Sequence, residues 1–289
     1  MYPARFDYAA PSSLDEALSL VSERGDDAKL LAGGQSLIPL MKLRFATPEL
    51  IVDLNRIGGL DYIEESADHL RVGALARNND LVDSEVLRDA YGAMAAAAPM
   101  ISDPLVRNLG TLAGSLAHCD PAGDWGSVML SLGGEVVARD ANGERTIPID
   151  ELLQGPFTTA LEPTEIITEV RVPRPSAAAG STYLKLERKV GDYATVAAAV
   201  ALELDDGEIS RAGIALTAVG PKNLRAEAAE SALSEAEPDE EAFAEAARLA
   251  AEVSEPTSDV RGSAEYKRAA ARTLVKRGLE TAHRMARGE

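Results

Sequence analysis

The feature that most constrains this chain is a run of small residues from Asn108 to Asp124, Asn-Leu-Gly-Thr-Leu-Ala-Gly-Ser-Leu-Ala-His-Cys-Asp-Pro-Ala-Gly-Asp. Charge is absent from its centre. Gly110, Gly114 and Gly123 let a backbone pass close to something bulky or adopt positive φ. Thr111 and Ser115 add hydroxyls, and Asp120 and Asp124 add carboxylates. A second stretch of this kind, Ala32-Gly33-Gly34-Gln35-Ser36, directly follows the apolar pair Leu30-Leu31. Two such loops in one domain can grip the two ends of one long anionic ligand. Each alone also reads as an ordinary tight turn.

The local patterns around these loops give them a scaffold. Phe6 to Tyr8 reads as a short strand. Ser13-Leu14-Asp15-Glu16 is a capping box, after which Leu14, Ala17, Leu18 and Val21 share a helical face and Gly25 stops the helix. Lys29 to Ala32 reads as a buried strand, Ser36 as the cap of a short helix with Pro39 in its first turn, and Leu50 to Leu54 as another strand. The first glycine loop therefore lies between a strand and a helix N-terminus of a β-α-β unit, where free N–H groups suit a phosphate.

Further on, Tyr62 to Glu65 and Leu70 to Gly73 predict a hairpin around Ala67-Asp68. Asn79 to Leu87 and Tyr91 to Ala98 predict helices. Trp125 to Leu132 predicts a helix capped by Asp124. Glu135 to Asp140 and Arg145 to Ile147 predict strands joined at Asn142-Gly143, and Ile166 to Val172 another strand. Pro173 to Gly180 is the best linker. Beyond it, Tyr183 to Glu187, Thr195 to Leu204 and Ile209 to Val219 predict three strands. Leu224 to Leu233, Glu240 to Val253 and Glu265 to Met285 then predict helices, an α+β layer.

Composition removes several function classes. The formal charge is −18, which disfavours nucleic acid and anionic membranes as partners. An apolar run of about 18 residues is missing, so no transmembrane helix is expected. Met1 to Tyr8 lacks an apolar signal core, which predicts a cytoplasmic protein. The single cysteine, Cys119, excludes an internal disulfide and a four-thiolate iron–sulfur cluster held by this chain. His69, His118 and His283 lack zinc-type spacing, so no metal site is expected. Neither a Walker A loop nor a Gly-x-Gly-x-x-Gly fingerprint occurs, so any nucleotide is bound by other means.

Taken in order, several motifs identify a resemblance. They are Ala32-Gly33-Gly34-Gln35-Ser36, Arg107 to Ser115, Asp120 to Asp124, Lys185 to Arg188 with Asp192-Tyr193-Ala194, and Asp259 to Tyr266. Nearly end to end, the chain resembles the medium, flavin-carrying subunits of the molybdenum hydroxylases. That family includes aerobic carbon monoxide dehydrogenase, and the same module sits inside xanthine dehydrogenase. The resemblance implies an α+β fold: a PCMH-type FAD-binding domain over residues 1–175, with subdomains of about 1–57 and 58–175. A smaller domain over 181–289 would follow, with a three-stranded antiparallel sheet and a helical bundle.

The resemblance also implies FAD as cofactor and an electron-transfer role. Molybdopterin and [2Fe-2S] clusters would lie in two partner chains, a molybdenum-binding large subunit and an iron–sulfur small subunit, assembled as a dimer of heterotrimers. The FAD diphosphate would be held by Ala32, Gly33, Gly34, Gln35 and Ser36 and by Gly110, Thr111, Gly114 and Ser115. Lys29 and Leu31 would lie along the adenosine side. Ile101 is included among the cofactor-binding residues. Asp124 would accept from a ribityl or ribose hydroxyl, Lys185 would face the flavin ring or its ribityl as a cation, and Tyr193 would cover one face of the isoalloxazine. No residue of this chain is assigned a catalytic role.

The family pattern Thr-Ile-Gly-Gly-Ser carries Ala113 here in place of its first glycine, which at positive φ would cost about 1 kcal/mol or more. Plainer readings stand beside these: Asp124 as a helix cap only, Lys185 as a surface lysine, Tyr193 as a core aromatic. Cys119 reads as an inert small residue and His118 as a polar loop residue. Lys267, Arg268, Arg272, Lys276 and Arg277 read as a basic helix surface that could meet an acidic partner. A self-sufficient flavin oxidase and a flavin-free assembly module are the rival functions.

Overall fold

The computed structural model describes residues 2–234 and 236–289. The chain opens with a parallel three-stranded sheet of order β1-β3-β2, formed by β1 (Asp7–Ala9), β2 (Ala28–Leu31) and β3 (Leu50–Asp53). Helix α1 (Leu14–Arg24) connects the first two strands. It begins as its sequence dictates: Ser13 Oγ accepts from the Glu16 N–H at 3.2 Å, while Glu16 Oε2 accepts from the Ser12 N–H at 2.9 Å. Gly25 ends it at φ 51°, and Ala17, Leu18 and Val21 face the sheet. A short α2 (Leu37–Leu43) carries the chain from β2 toward β3.

The second sheet is antiparallel, of order β4-β5-β10-β6-β7, and most helices of the first half fall between its second and third strands in chain order. After β4 (Ile63–Glu65) and β5 (His69–Gly73) come α3 (Asn78–Asp83), α4 (Glu85–Ala90), α5 (Gly92–Ala97), α6 (Pro104–Arg107), α7 (Leu112–His118) and α8 (Asp124–Leu132). Then follow β6 (Glu135–Arg139), β7 (Glu144–Pro148), α9 (Ile149–Leu152), a small ribbon of β8 (Leu153–Gly155) and β9 (Thr158–Thr159), and β10 (Ile166–Pro173). The hairpin at Asn142-Gly143 forms as expected, with Asp140 Oδ1 accepting from both turn N–H groups. The central strand β10 buries Glu169, which Arg71 Nε and Arg171 Nε reach at 2.7 and 2.5 Å and which accepts from the Tyr62 hydroxyl.

One expected helix and one expected loop change shape here. The stretch expected as one helix from Asn79 to Leu87 breaks at Ser84, whose backbone is extended and whose hydroxyl caps the next helix. The run from Leu112 to His118, read from sequence only as a glycine-rich loop, is helical and buries Leu112, Ala113 and Leu116. Each such leucine contributes roughly 1.5–3 kcal/mol, enough to fix the loop that precedes it.

The third sheet has order β11-β12-β13-β14: β11 (Ala179–Leu186), β12 (Val196–Asp205), β13 (Glu208–Thr217) and β14 (Leu224–Arg225). The three long strands are those expected, and the two-residue β14 takes the start of the expected Leu224 helix. Helices α10 (Glu227–Leu233), α11 (Glu240–Glu252) and α12 (Ala264–Ala286) follow. Along β12 the period is two. Val196, Ala198, Val200 and Leu202 face the helices, while Ala197, Ala199 and Ala201 face the core of the first half.

Both faces of this sheet are thus covered, and the second is lined with small residues so that α8 can approach. A methyl on Gly213 would lie 1.9 Å from the Ser131 carbonyl oxygen. The expected linker, Pro173 to Gly180, is shorter in the structure: β10 ends at Pro173 and β11 begins at Ala179, leaving 174–178 between strands. No described helix is long and apolar enough to cross a membrane.

Candidate functional site

The two glycine stretches meet. A methyl placed on Gly33 would sit 2.2 Å from the Leu109 carbonyl oxygen and 2.7 Å from Gly110 Cα, so only glycine lets these backbones touch. Gly34 turns the chain at φ 69°, beside the side chains of Leu31 and Ile38. Among the described residues, no acceptor takes the N–H groups of Gly33, Gly34, Gln35, Ser36 or Leu37. Ser36 stands at the N-cap position of α2 as expected, but its hydroxyl makes no capping bond, since its backbone is already helical at φ −106° and ψ −48°. The donors there are left open rather than satisfied internally.

The second loop is built by a cap. Thr111 Oγ1 accepts from the Gly114 N–H at 2.9 Å, and α7 runs from there. Among the described residues no acceptor takes the N–H groups of Thr111 and Ala113, while that of Leu112 faces Ala76 O across the bridge that pairs Arg77 with Thr111. Ala113 lies inside α7 and is not among the residues with positive φ, so alanine carries no strain at this position. Gly110 O accepts from the Asn78 N–H at 2.8 Å, and Asn78 Oδ1 in turn accepts from buried Trp125 Nε1 at 3.0 Å.

Two residues that the sequence did not single out bridge the loops. Arg77 donates to Leu109 O at 2.7 Å and to Asn55 Oδ1 at 2.5 Å, and Asn55 Nδ2 donates to Ala32 O at 2.8 Å. An asparagine two residues past Asp53 hints at a turn, which forms, with Asp53 Oδ1 accepting from the Asn55 N–H. Nothing in the sequence marks Arg77.

The other end of the site is a cluster of buried charge. Lys185 Nζ donates to Asp124 Oδ2 and to Met100 O, both at 3.1 Å, and lies 3.5 Å from Glu187 Oε2. The Lys185 side chain is 1% exposed, so it is not a surface lysine. Tyr183 donates its hydroxyl to Asp124 Oδ1 at 2.6 Å. Asp124 therefore does not cap α8, contrary to expectation. Gly123 occupies that position, and Asp124 is the first helical residue, turned toward β11. Burial pushes the Asp124 carboxyl above the ordinary range against the pull of Lys185, and burial together with Asp124 pushes the Tyr183 phenol well up. Glu187 Oε2 is buried and makes no hydrogen bond.

The wall between these ends comes from both halves of the chain. Ile101 is half-buried, next to the Met100 carbonyl that Lys185 reaches, and a methyl on Gly191 would sit 2.2 Å from Ser102 O. The turn Asp120 to Gly123 is held by the third sheet, through Ala218 N–H to Pro121 O and Asn223 Nδ2 to Gly123 O. Tyr193 is 54% exposed and is not a core aromatic. Burial of its hydroxyl end raises its pKa, followed by the Asp120 and Asp124 charges. Its neighbour Asp192 is clamped by Arg261, with contacts of 3.0 and 3.2 Å, and Arg261 also donates to Tyr193 O at 2.8 Å. That clamp explains why the Asp192-Tyr193 and Asp259-Val260-Arg261-Gly262 motifs occur in one chain. Arg261 holds the Asp192 carboxyl down to about 2.

Lys29 is exposed on β2, opposite Ile51, and Ser115 is half-buried on α7. Cys119 is buried, donates to Gly155 O and has its thiol pushed up by burial, as befits an inert residue. The His118 ring packs against Phe157 at a tilt of 43°, with centroids 5.1 Å apart, and burial lowers its pKa. Lys267 corrects the expected basic surface: it is 4% exposed and bonds to Asp259 and Thr257 O, closing the start of α12.

The arrangement offers open N–H donors at one end and, at the other, an ion cluster in which one buried carboxylate oxygen, Glu187 Oε2, accepts no hydrogen bond. These features fit a long ligand with an anionic middle and a polar ring. Known proteins agree. A family described as the FAD binding domain in molybdopterin dehydrogenase matches residues 4–175, and one described as the CO dehydrogenase flavoprotein C-terminal domain matches 181–282.

The chain is 43% identical over 282 residues to the carbon monoxide dehydrogenase medium chain of Hydrogenophaga pseudoflava, covering 98% of each. It is 39% identical over 288 residues to the 6-hydroxypseudooxynicotine dehydrogenase complex subunit alpha of Paenarthrobacter nicotinovorans, covering 99% of this chain and 97% of that one. Among solved structures, a carbon monoxide dehydrogenase from Hydrogenophaga pseudoflava lacking the Mo-pyranopterin moiety superposes with a TM-score of 0.94 at 45% identity, covering 98% of each chain.

Proposed function

This chain belongs to the family of FAD-binding medium subunits of the molybdenum hydroxylases, and from that premise we propose that it is the electron-transfer subunit of such an enzyme. FAD is its cofactor, and it is an oxidoreductase subunit that acts within a complex. When bound, FAD supplies the redox chemistry, taking electrons from [2Fe-2S] clusters of a partner subunit and releasing them to an external acceptor. The partners are an iron–sulfur small subunit and a molybdenum-binding large subunit, in a cytoplasmic dimer of heterotrimers. The FAD-binding domain spans 1–175, with subdomains of about 1–57 and 58–175, and the second domain spans 181–289.

What this chain's residues do follows from their positions. The N–H groups of Gly33 to Leu37 and of Thr111 and Ala113, with the hydroxyls of Ser36, Thr111 and Ser115, hold the diphosphate. Lys29 and Leu31 flank the adenosine. Asp124, Lys185 and Ile101 border the ribityl chain and ring, and Tyr193, exposed on a clamped loop, covers the ring face. The Lys185 ammonium already faces two carboxylates, so it acts on the ring as part of an ion cluster and not as a lone cation.

The observation that carries this reading is the contact between Gly33 and Leu109, which brings two sets of unpartnered N–H donors together. The flavin-free alternative loses its one supporting feature, since Ala113 is helical and unstrained. Rapid mixing of the assembled complex with its reductant tests the proposal. The flavin absorbance is expected to bleach as the clusters reoxidise. Turnover with an external acceptor that survives removal of this subunit would refute it.

A further inference from the structure

We propose that Arg77 and Asn55 form a clasp that closes the two glycine loops on the diphosphate, an inference that rests on the FAD reading above. The bonds run in one unbroken series. Leu109 O accepts from Arg77 NH1, Asn55 Oδ1 accepts from Arg77 NH2, and Ala32 O accepts from Asn55 Nδ2. The series begins on one residue of the Leu109-Gly110 backbone that touches Gly33 and ends on the residue before Gly33. Asn55 is itself held at the end of β3 by Asp53, which accepts from its N–H at 2.9 Å and its Nδ2 at 2.6 Å. Tyr8 donates to the other Asp53 oxygen at 2.6 Å, so the anchor reaches back to β1. Arg77 is fixed at its own backbone, whose N–H donates to Asp80 Oδ2 at 2.8 Å.

The clasp does two things that the loops cannot do alone. The first loop leaves β2 and the second joins α6 to α7, and among the described residues their direct contact at Gly33 is a van der Waals approach with no hydrogen bond across it. The series supplies directional bonds between them and so fixes the spacing of the two sets of N–H donors. It also brings a guanidinium to loops whose other residues are uncharged. Its fork has five N–H donors and spends two of them on Leu109 O and Asn55 Oδ1. Arg77 and Asn55 are positioning residues: they act through Leu109 O and Ala32 O.

The test uses the full chain assembled with its partners and measures FAD affinity by recovery of flavin fluorescence, for Arg77→Lys, Asn55→Ala and the double variant. Lysine keeps the charge but cannot make both bonds. Each single variant is expected to weaken FAD binding about tenfold, a typical loss for a charge-assisted bond. The double variant is expected to be little worse than either single one, because one series is cut twice. Melting of the apo chain is expected to stay at the wild-type temperature, while amide exchange at Gly33 to Leu37 quickens. Unchanged affinity overturns the clasp, as do losses that multiply in the double variant or that track a fall in apo melting temperature. A wild-type chain that fails to hold FAD overturns the FAD reading as well. Insensitivity of the variants alone overturns only the clasp.

Discussion

The two ends of the site are built by opposite means. At the glycine end the working groups are backbone N–H donors, and side chains matter mainly by their absence. At the other end the working groups are side chains, Lys185, Asp124, Tyr183 and Glu187, buried where β11 meets α8. The difference teaches which changes each end tolerates. A backbone site fails when a new atom meets a carbonyl that cannot move. A buried ion cluster fails when one charge loses its partner.

The largest effect is expected at the charged end. Lys185→Met leaves Asp124 and Glu187 buried without their cation and destabilises the chain by about 3–5 kcal/mol, read by denaturant unfolding. Adding Asp124→Asn recovers a good part of that loss, because the amide oxygen still accepts from Tyr183. A double variant as unstable as the single one would show that shape, and not charge, governs this end.

At the glycine end, Gly33→Ala comes next. Its methyl meets the Leu109 carbonyl, so the loops must separate. Flavin retention after gel filtration is expected to be lost, with about 1–3 kcal/mol of stability. Gly114→Ala sharpens the comparison, since its methyl meets only the Thr111 hydroxyl, at 2.7 Å. That hydroxyl can rotate. Losing its cap costs about 1 kcal/mol, and the helix gains about as much from alanine over glycine. Near-neutral stability is therefore expected, and a loss as large as that of Gly33→Ala would contradict the distinction.

The smallest effect concerns protonation. Asp192 sits at about 2 because Arg261 holds it, whereas burial lifts Asp124. A depressed carboxyl contributes stability that is complete above its ordinary pKa of 3.8 and is lost as pH falls through about 2. The Tyr193 loop is thus expected to stay clamped on acidification after Asp124 has taken up its proton. Carboxyl titration followed by carbon NMR reads the order directly, and Asp192 titrating first would contradict it.

Much of this site was legible because glycine and capping residues carry local rules. The strand entering Gly33, the helix capped by Ser13 and the turn at Asn142-Gly143 follow from residues within a few positions of one another. What stayed hidden depends on distant partners. Asp124 looked like a cap because helix starts favour aspartate. Tyr183 and Lys185, about 60 residues later, take its carboxylate instead. Alternation along β11 could not say that its Lys185 side chain is covered, since the cover is α5 with Met100 and Asp124, all from the other half of the chain. Arg77 and Asn55 join loops far apart in sequence and leave no local signature. The helix after Thr111 was masked by Gly114, which lowers helix propensity but does not outweigh the burial of Leu112 and Leu116.

The central claim is that two separate loops offer their open N–H groups to one ligand. Hydrogen–deuterium exchange of the chain with and without FAD, resolved at Gly33 to Leu37 and at Thr111 and Ala113, tests it most directly. The account predicts that both sets exchange freely in the apo chain and gain protection together at the same FAD concentration. Protection of one loop alone, or of neither while FAD is bound, would contradict it.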